Sequence, residues 1–262
     1  MESIIVDGRE RNYLLHLPPA PEGRPLIIAL HALGSNPLLM EAMTDLSSMA
    51  DREGFIVAYP EGFKSSEAGI RSWNARFCCR DAKEEGVDDI GFLSALIDEM
   101  TAQYHINGVL ITGFSNGGML AQLAGIELAD KITAIAPVGA TVGQEIVEHS
   151  PKRPVPVLMV HGDSDRLLPF DERHDERFLP VSKVVEYWVR ENKCAPGPEV
   201  EETPELKIER YRPHGDRAEV LLYIVKNAGH VWPGSRVHLR SENDPRTLDA
   251  SYLIWSFFRS QL

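Results

Sequence analysis

The chain reads as an α/β protein with a mainly parallel central sheet and helices on both faces. Three observations predict this. The runs at residues 26–30, 55–59 and 109–114 are almost continuously apolar, as strands buried on both faces must be. They alternate with longer helix-like segments, the rhythm of parallel strands joined by crossover helices. One of them ends in Gly113-Phe114-Ser115-Asn116-Gly117, with a helical segment directly behind it.

In order, residues 4–6 and 13–17 predict an opening hairpin and 26–30 a buried strand, which leads into His31-Ala32-Leu33-Gly34-Ser35-Asn36. A helix over 38–52 ends at Gly54, and 55–59 is the next strand. The connection over 60–87 holds Trp73, Cys78 and Cys79, and its length predicts a substrate-facing loop. Asp88 and Asp89 both read as caps of a helix over 90–104. The strand at 109–114 and a helix over 119–128 follow, then strands at 132–138 and 155–161. A helix over 181–192 precedes a polar stretch, 193–205, with three prolines. Residues 207–211 and 220–225 are late strands, and 248–259 a closing amphipathic helix. No repeat or low-complexity segment divides the sequence, so residues 1–262 are expected to form one domain.

With 43% hydrophobic and 25% charged residues the balance is that of a soluble globular chain. The net charge of −12, with no basic cluster against it, disfavours nucleic acid and anionic membrane surfaces as partners. No apolar stretch is long enough for a transmembrane helix. The N-terminus lacks the basic start, apolar core and small-residue site of an export signal. As written, the sequence therefore reads as cytoplasmic, the alternative being a secreted protein whose leader is absent. Three cysteines are too few for a disulfide scaffold and lack zinc spacing, so neither a metal nor another cofactor is expected. Adjacent Cα atoms lie about 3.8 Å apart, so a Cys78–Cys79 bond would be strained. A bridge from one of them to Cys194 and free thiols both stay open.

Ser115 carries the chemistry. A serine between Gly113 and Gly117, at a strand-to-helix turn, is lifted out of the sheet, with the helix N-terminus offering N–H groups to a developing oxyanion. A hydroxyl is a poor nucleophile without a base, and that base needs an orienting acid. Past the strand at 155–161, Asp163 and Asp165 both qualify as the acid, and spacing alone leaves the choice open. Past the strand at 220–225, His230 stands between Gly229 and a Pro-Gly turn as the base. His174 comes too early, His214 sits in a polar turn, and His238 is the reserve. His31 and His161 directly follow strands and are expected to shape their loops. The Asn116 amide is one oxyanion donor, and the loop over 31–34 supplies the second.

Together these segments resemble the esterase family that groups polyhydroxybutyrate depolymerases with bacterial feruloyl and acetylxylan esterases. The resemblance lies in Val6-Asp7-Gly8-Arg9 with Tyr13, Leu30-His31-Ala32-Leu33-Gly34, Ser72-Trp73-Asn74 with Cys78-Cys79, and Val87-Asp88-Asp89-Ile90-Gly91-Phe92. It continues through Gly113-Phe114-Ser115-Asn116-Gly117-Gly118-Met119, Ala136-Pro137-Val138, and His161-Gly162 with Asp165 and Leu168-Pro169-Phe170. Residues 188–192, Cys194 and Gly229-His230-Val231-Trp232-Pro233-Gly234 complete it. It implies an α/β-hydrolase fold with Ser115 as nucleophile, Asp165 as acid and His230 as base. The family's oxyanion segment usually reads His-Gly-Cys; Ala32 and Leu33 replace the last two here, and the Leu33 N–H becomes the second donor. The resemblance also implies a disulfide from Cys194 to the Cys78-Cys79 pair in an oxidising compartment.

The expected activity is cofactor-free hydrolysis of carboxylic esters through an acyl-enzyme, with a small-molecule or carbohydrate ester as partner. Trp73 and Trp232 are candidate walls of an acyl pocket for an aromatic acid, which favours feruloyl or carbohydrate-linked esters. The alternatives are a polyhydroxybutyrate depolymerase or oligomer hydrolase and, from another class, a non-catalytic binding module on the same scaffold.

Overall fold

In the computed structural model, which describes residues 1–171, 176–215, 218–237 and 243–262, the chain opens with an antiparallel hairpin. Its strands are β1 (Glu2–Val6) and β2 (Arg9–His16), turned at Asp7 and Gly8, both with positive φ. β3 (Leu26–Leu30) follows, then α1 (Pro37–Thr44) and α2 (Leu46–Glu53). The predicted helix over 38–52 is thus two helices. Asp45 breaks it in the left-handed region, at φ 52°, and its N–H closes the first helix on Glu41 O. β4 (Ile56–Pro60), α3 (Arg80–Glu84), α4 (Asp89–Tyr104), β5 (Val109–Phe114), α5 (Asn116–Glu127), β6 (Ala134–Val138) and β7 (Val157–Gly162) come next. The chain closes with α6 (Val181–Glu191), β8 (Glu199–Glu202), β9 (Leu206–Tyr211), β10 (Val220–Val225) and α7 (Ala250–Arg259). β8 lies in the polar stretch 193–205 with its three prolines, for which the sequence predicts no strand. Its four residues are exposed and pair only with β9, an edge position where no apolar pattern is needed.

All ten strands share one sheet, in the order β1-β2-β4-β3-β5-β6-β7-β10-β9-β8. The six from β4 to β10 run parallel, with antiparallel pairs at each flank. Successive side chains of a strand point to opposite faces. In β3, Leu26, Ile28 and Leu30 accordingly enter the core under α4, α5 and α6, whereas Ile27 and Ala29 enter the one under α1, α2 and α7. Parallel alignment has a functional consequence: the C-terminal ends of β3, β5, β7 and β10 all open on the same edge of the sheet.

Two sequence expectations change here. Asp88 caps α4, its Oδ1 accepting from Gly91 N–H at 2.8 Å, but Asp89 does not cap. Its buried carboxylate pairs with Arg11 at 2.5 Å and accepts from Asn74 N–H at 2.7 Å, tying the long connection to the hairpin and α4. Cys194 bridges neither Cys78 nor Cys79. It sits buried and free beyond α6, its Sγ donating to Ala218 O just before β10, at the opposite edge of the sheet from the other two. Cys78 and Cys79 are disulfide-bonded to each other across a cis peptide. Among the described residues, no helix is long and apolar enough to cross a membrane.

Candidate active site

Ser115 stands between β5 and α5 with φ 54° and ψ −119°, a conformation that side-chain-bearing residues rarely adopt. Two contacts explain its glycine neighbours. A Cβ on Gly113 would lie 2.5 Å from the Gly117 carbonyl carbon, and one on Gly117 would collide with Leu30 O at the end of β3. The turn is therefore tight enough to press α5 against β3, and Ser115 N–H fixes it further by donating to Val138 O at 3.0 Å.

The loop after β3 is set by His31, which is fully buried. Gly62 N–H donates to its Nε2 at 2.9 Å, so the ring proton is on Nδ1, which donates to Ala32 O at 2.8 Å. Burial lowers the His31 pKa to about 4, so the imidazole is neutral. Ser35 N–H donates to the same carbonyl at 3.0 Å. In a planar trans peptide the Leu33 N–H must then face the opposite way. Among the described residues, neither that N–H nor the first one of α5, on Asn116, has a hydrogen-bond acceptor. Both Leu33 and Asn116 border the same cleft as Ser115.

His230 follows β10, and its Nδ1 bonds Asp165 Oδ2 at 2.7 Å. Asp165 Oδ1 accepts from the Leu167 and Leu168 N–H groups at 2.8 and 2.9 Å, which fixes the carboxylate plane. Burial pushes the Asp165 carboxyl up, but the His230 hydrogen bond and the two nearby imidazoles outweigh it, holding the group below its ordinary range. Asp163 does something else: its Oδ1 accepts from Asn227 N–H at 2.7 Å and Ser164 Oγ at 2.9 Å, pinning two loops together. With Nδ1 engaged, Nε2 of His230 has no hydrogen-bond partner among the described residues, and the ring stacks on Phe114 at 4.8 Å. His161 is buried behind the acid, donating from Nε2 to Leu168 O at 2.7 Å. His214 is exposed beyond β9, and His174 and His238 lie outside the described residues.

The two tryptophans part company. Trp232, 2% exposed, borders a groove of about 460 Å³ lined mostly by apolar side chains beside Ser115 and His230, and is anchored by Nε1 donating to Ser251 Oγ at 3.1 Å. Trp73 does not reach a pocket wall; it is 0% exposed. Its Nε1 donates to His31 O at 2.9 Å, its N–H to Asn116 Oδ1 at 2.8 Å, and its carbonyl accepts from Asn116 Nδ2 at 3.1 Å. It braces the two loops that carry the free N–H groups. The side-chain amide of Asn116 was thus the unread part of this site, whereas His31 shapes its loop as the sequence predicts.

A model of the family described as Phospholipase/Carboxylesterase matches residues 17–183, a span that includes Ser115 and Asp165. The chain belongs to that family. NocK of Nocardia uniformis subsp. tsuyamanensis is 35% identical over 174 residues, 64% of this chain and 49% of that protein. The bifunctional acetylxylan esterase/xylanase XynS20E of Neocallimastix patriciarum is 33% identical over 151 residues, 56% of this chain and 20% of that one. Feruloyl esterase B of Piromyces equi is 28% identical over 219 residues, 79% of this chain and 39% of that one. The chain thus spans half or less of the length of these family relatives. Among solved structures, Est1E from Butyrivibrio proteoclasticus with ferulic acid bound superposes with a TM-score of 0.61 at 15% identity, covering 100% of this chain and 99% of that one. The fold it shares with this carboxylesterase-family chain is the α/β-hydrolase fold expected from the sequence.

Proposed function

We propose that the protein is a serine carboxylesterase acting through an acyl-enzyme. The observation that carries this reading is the His230–Asp165 hydrogen bond, 2.7 Å long, beside a cleft that Ser115 also lines. His230 Nε2 takes the Ser115 proton as Oγ attacks the ester carbonyl, and Asp165 holds the ring in the tautomer this requires. The Leu33 and Asn116 N–H groups receive the tetrahedral oxyanion. His230 returns the proton to the departing alkoxide, and water then releases the acid by the same steps.

The acyl half of the substrate lies in the apolar groove, against Phe114 and Trp232. Its volume and aromatic lining suit a hydroxycinnamoyl or similar aromatic acid attached to a carbohydrate or other alcohol. The relatives named feruloyl esterase and acetylxylan esterase support that substrate class. The test is a panel of methyl ferulate, p-nitrophenyl acetate, acetylated xylan and hydroxybutyrate oligomers, run with fluorophosphonate labelling. Labelling at Ser115 with highest kcat/KM on methyl ferulate is expected. Labelling with preference for the oligomers would make it a depolymerase, and absence of both labelling and turnover would make it a binding module.

A further inference from the structure

Two grooves meet at Ser115, and they differ in charge. Leu33, Ser115, Leu167 and His230 border both. Among the described residues, the groove with Trp232 has no Asp, Glu, Lys or Arg in its wall. The other, about 700 Å³, runs over Phe77 and Phe178, and among the described residues Arg80, Lys83, Arg177 and Glu84 are its charged lining.

Arg80 forms no ion pair or hydrogen bond among the described residues. Its neighbour Asp81 is turned away, its carboxylate accepting from Ser65 N–H at 2.9 Å and Ser65 Oγ at 2.6 Å. Lys83 Nζ donates to Phe77 O at 3.0 Å, a carbonyl that leaves its charge uncompensated. A guanidinium and an ammonium on one wall of a groove that Ser115 also lines, without a paired carboxylate among the described residues, are the half of a charge-assisted contact that a ligand anion completes.

We propose that this groove is a subsite for a carboxylate carried on the alcohol half of the ester. The inference rests on Ser115 as nucleophile and on the Trp232 groove as the acyl side, since the leaving alcohol must then depart through the second groove. The substrate class is an ester of a hydroxy acid or acidic sugar, and the released alcohol is itself an anion.

The test compares 4-acetoxybenzoate with 4-acetoxybenzamide, which share the acetyl group and ring but differ in charge. Each kcat/KM is divided by the ester's own hydroxide rate to remove leaving-group electronics. The full chain should prefer the anionic ester about tenfold at low salt, falling to near parity at molar salt as screening shortens the field. Arg80→Gln should lower the ratio and Arg80→Glu should invert it; a ratio cancels any general loss from the substitution. A ratio at or below one, or one that neither salt nor Arg80 moves, overturns the subsite. Monomethyl terephthalate and its amide place the charge on the acyl half; a preference confined to that pair overturns the assignment to the alcohol side. If Ser115→Ala hydrolyses the amide ester as well as the unaltered chain does, the nucleophile itself is wrong and the subsite falls with it.

Discussion

The strand ends and the long connection between β4 and α4 build one site by different physical means. Ser115, Asp165 and His230 each stand just beyond a parallel strand, where main-chain geometry places them and little else is needed. The connection holds no regular element before α3, yet Trp73 within it bonds both His31 and Asn116. On the proposed mechanism, strand ends supply the reacting groups, and Trp73 in the loop braces the two segments that carry the N–H donors. Losing a strand-end group should abolish chemistry without unfolding the chain, whereas losing the brace should cost stability first.

Ser115→Ala is the strongest test of that division. Turnover should fall about a millionfold, as for other serine triads, with unchanged circular dichroism; near-normal rates would remove the serine from the chemistry. Asp165→Asn comes next. It should leave His230 in the wrong tautomer and cut kcat roughly ten-thousandfold, while Asp163→Asn, which loses only a link between loops, should cost less than about tenfold in rate. The reverse ranking would exchange their roles.

The same division explains what the sequence revealed. Parallel strands advertise themselves as apolar runs, and a residue's distance past such a run is nearly its position in space, so the placement of Ser115, Asn116 and His230 was legible; past β7 spacing left Asp163 and Asp165 open, and the resemblance chose Asp165. Leu33 was legible only through the resemblance. A loop offers no such ruler. Trp73 read as a pocket wall because nothing local says whether an aromatic in a long connection turns inward, and its partners lie 42 and 43 residues away. Asp89 read as a cap because capping is local, whereas Arg11, its actual partner, is 78 residues distant. The break at Asp45 left the amphipathic pattern intact on both sides and so went unseen.

Two predictions probe the brace. Trp73→Ala empties a fully buried site and should lower unfolding free energy by about 3–5 kcal/mol, read as a lower urea midpoint with unchanged slope. Its rate loss should be equal for methyl ferulate and p-nitrophenyl acetate. A selective loss on the ferulate would return Trp73 to the pocket. His31 gives the pH signature. It titrates near 6.5 when unfolded but near 4 in the fold, so between those values the unfolded chain binds more protons and stability falls as pH drops. Its contribution is complete above 6.5 and gone below 4, a span worth about 3 kcal/mol. The stability difference between the unaltered chain and His31→Gln should therefore shrink across that window. A constant difference would mean that His31 does not stay neutral in the fold.

The smallest expected effect concerns Trp232, the pocket candidate that the loop does not hold. Trp232 lies two residues past His230 and borders the groove beside Ser115. If it packs on the acyl group, Trp232→Ala removes a ring contact worth about 0.5–1.5 kcal/mol beyond buried area. Methyl ferulate should then lose about three- to tenfold more kcat/KM than p-nitrophenyl acetate, which needs the triad and the N–H donors but little of the groove. Equal losses would show Trp232 acting like Trp73, as support for the His230 loop through Ser251. The aromatic-acyl reading would then rest on the relatives alone, and short-chain esters would become the better description of what this groove accepts.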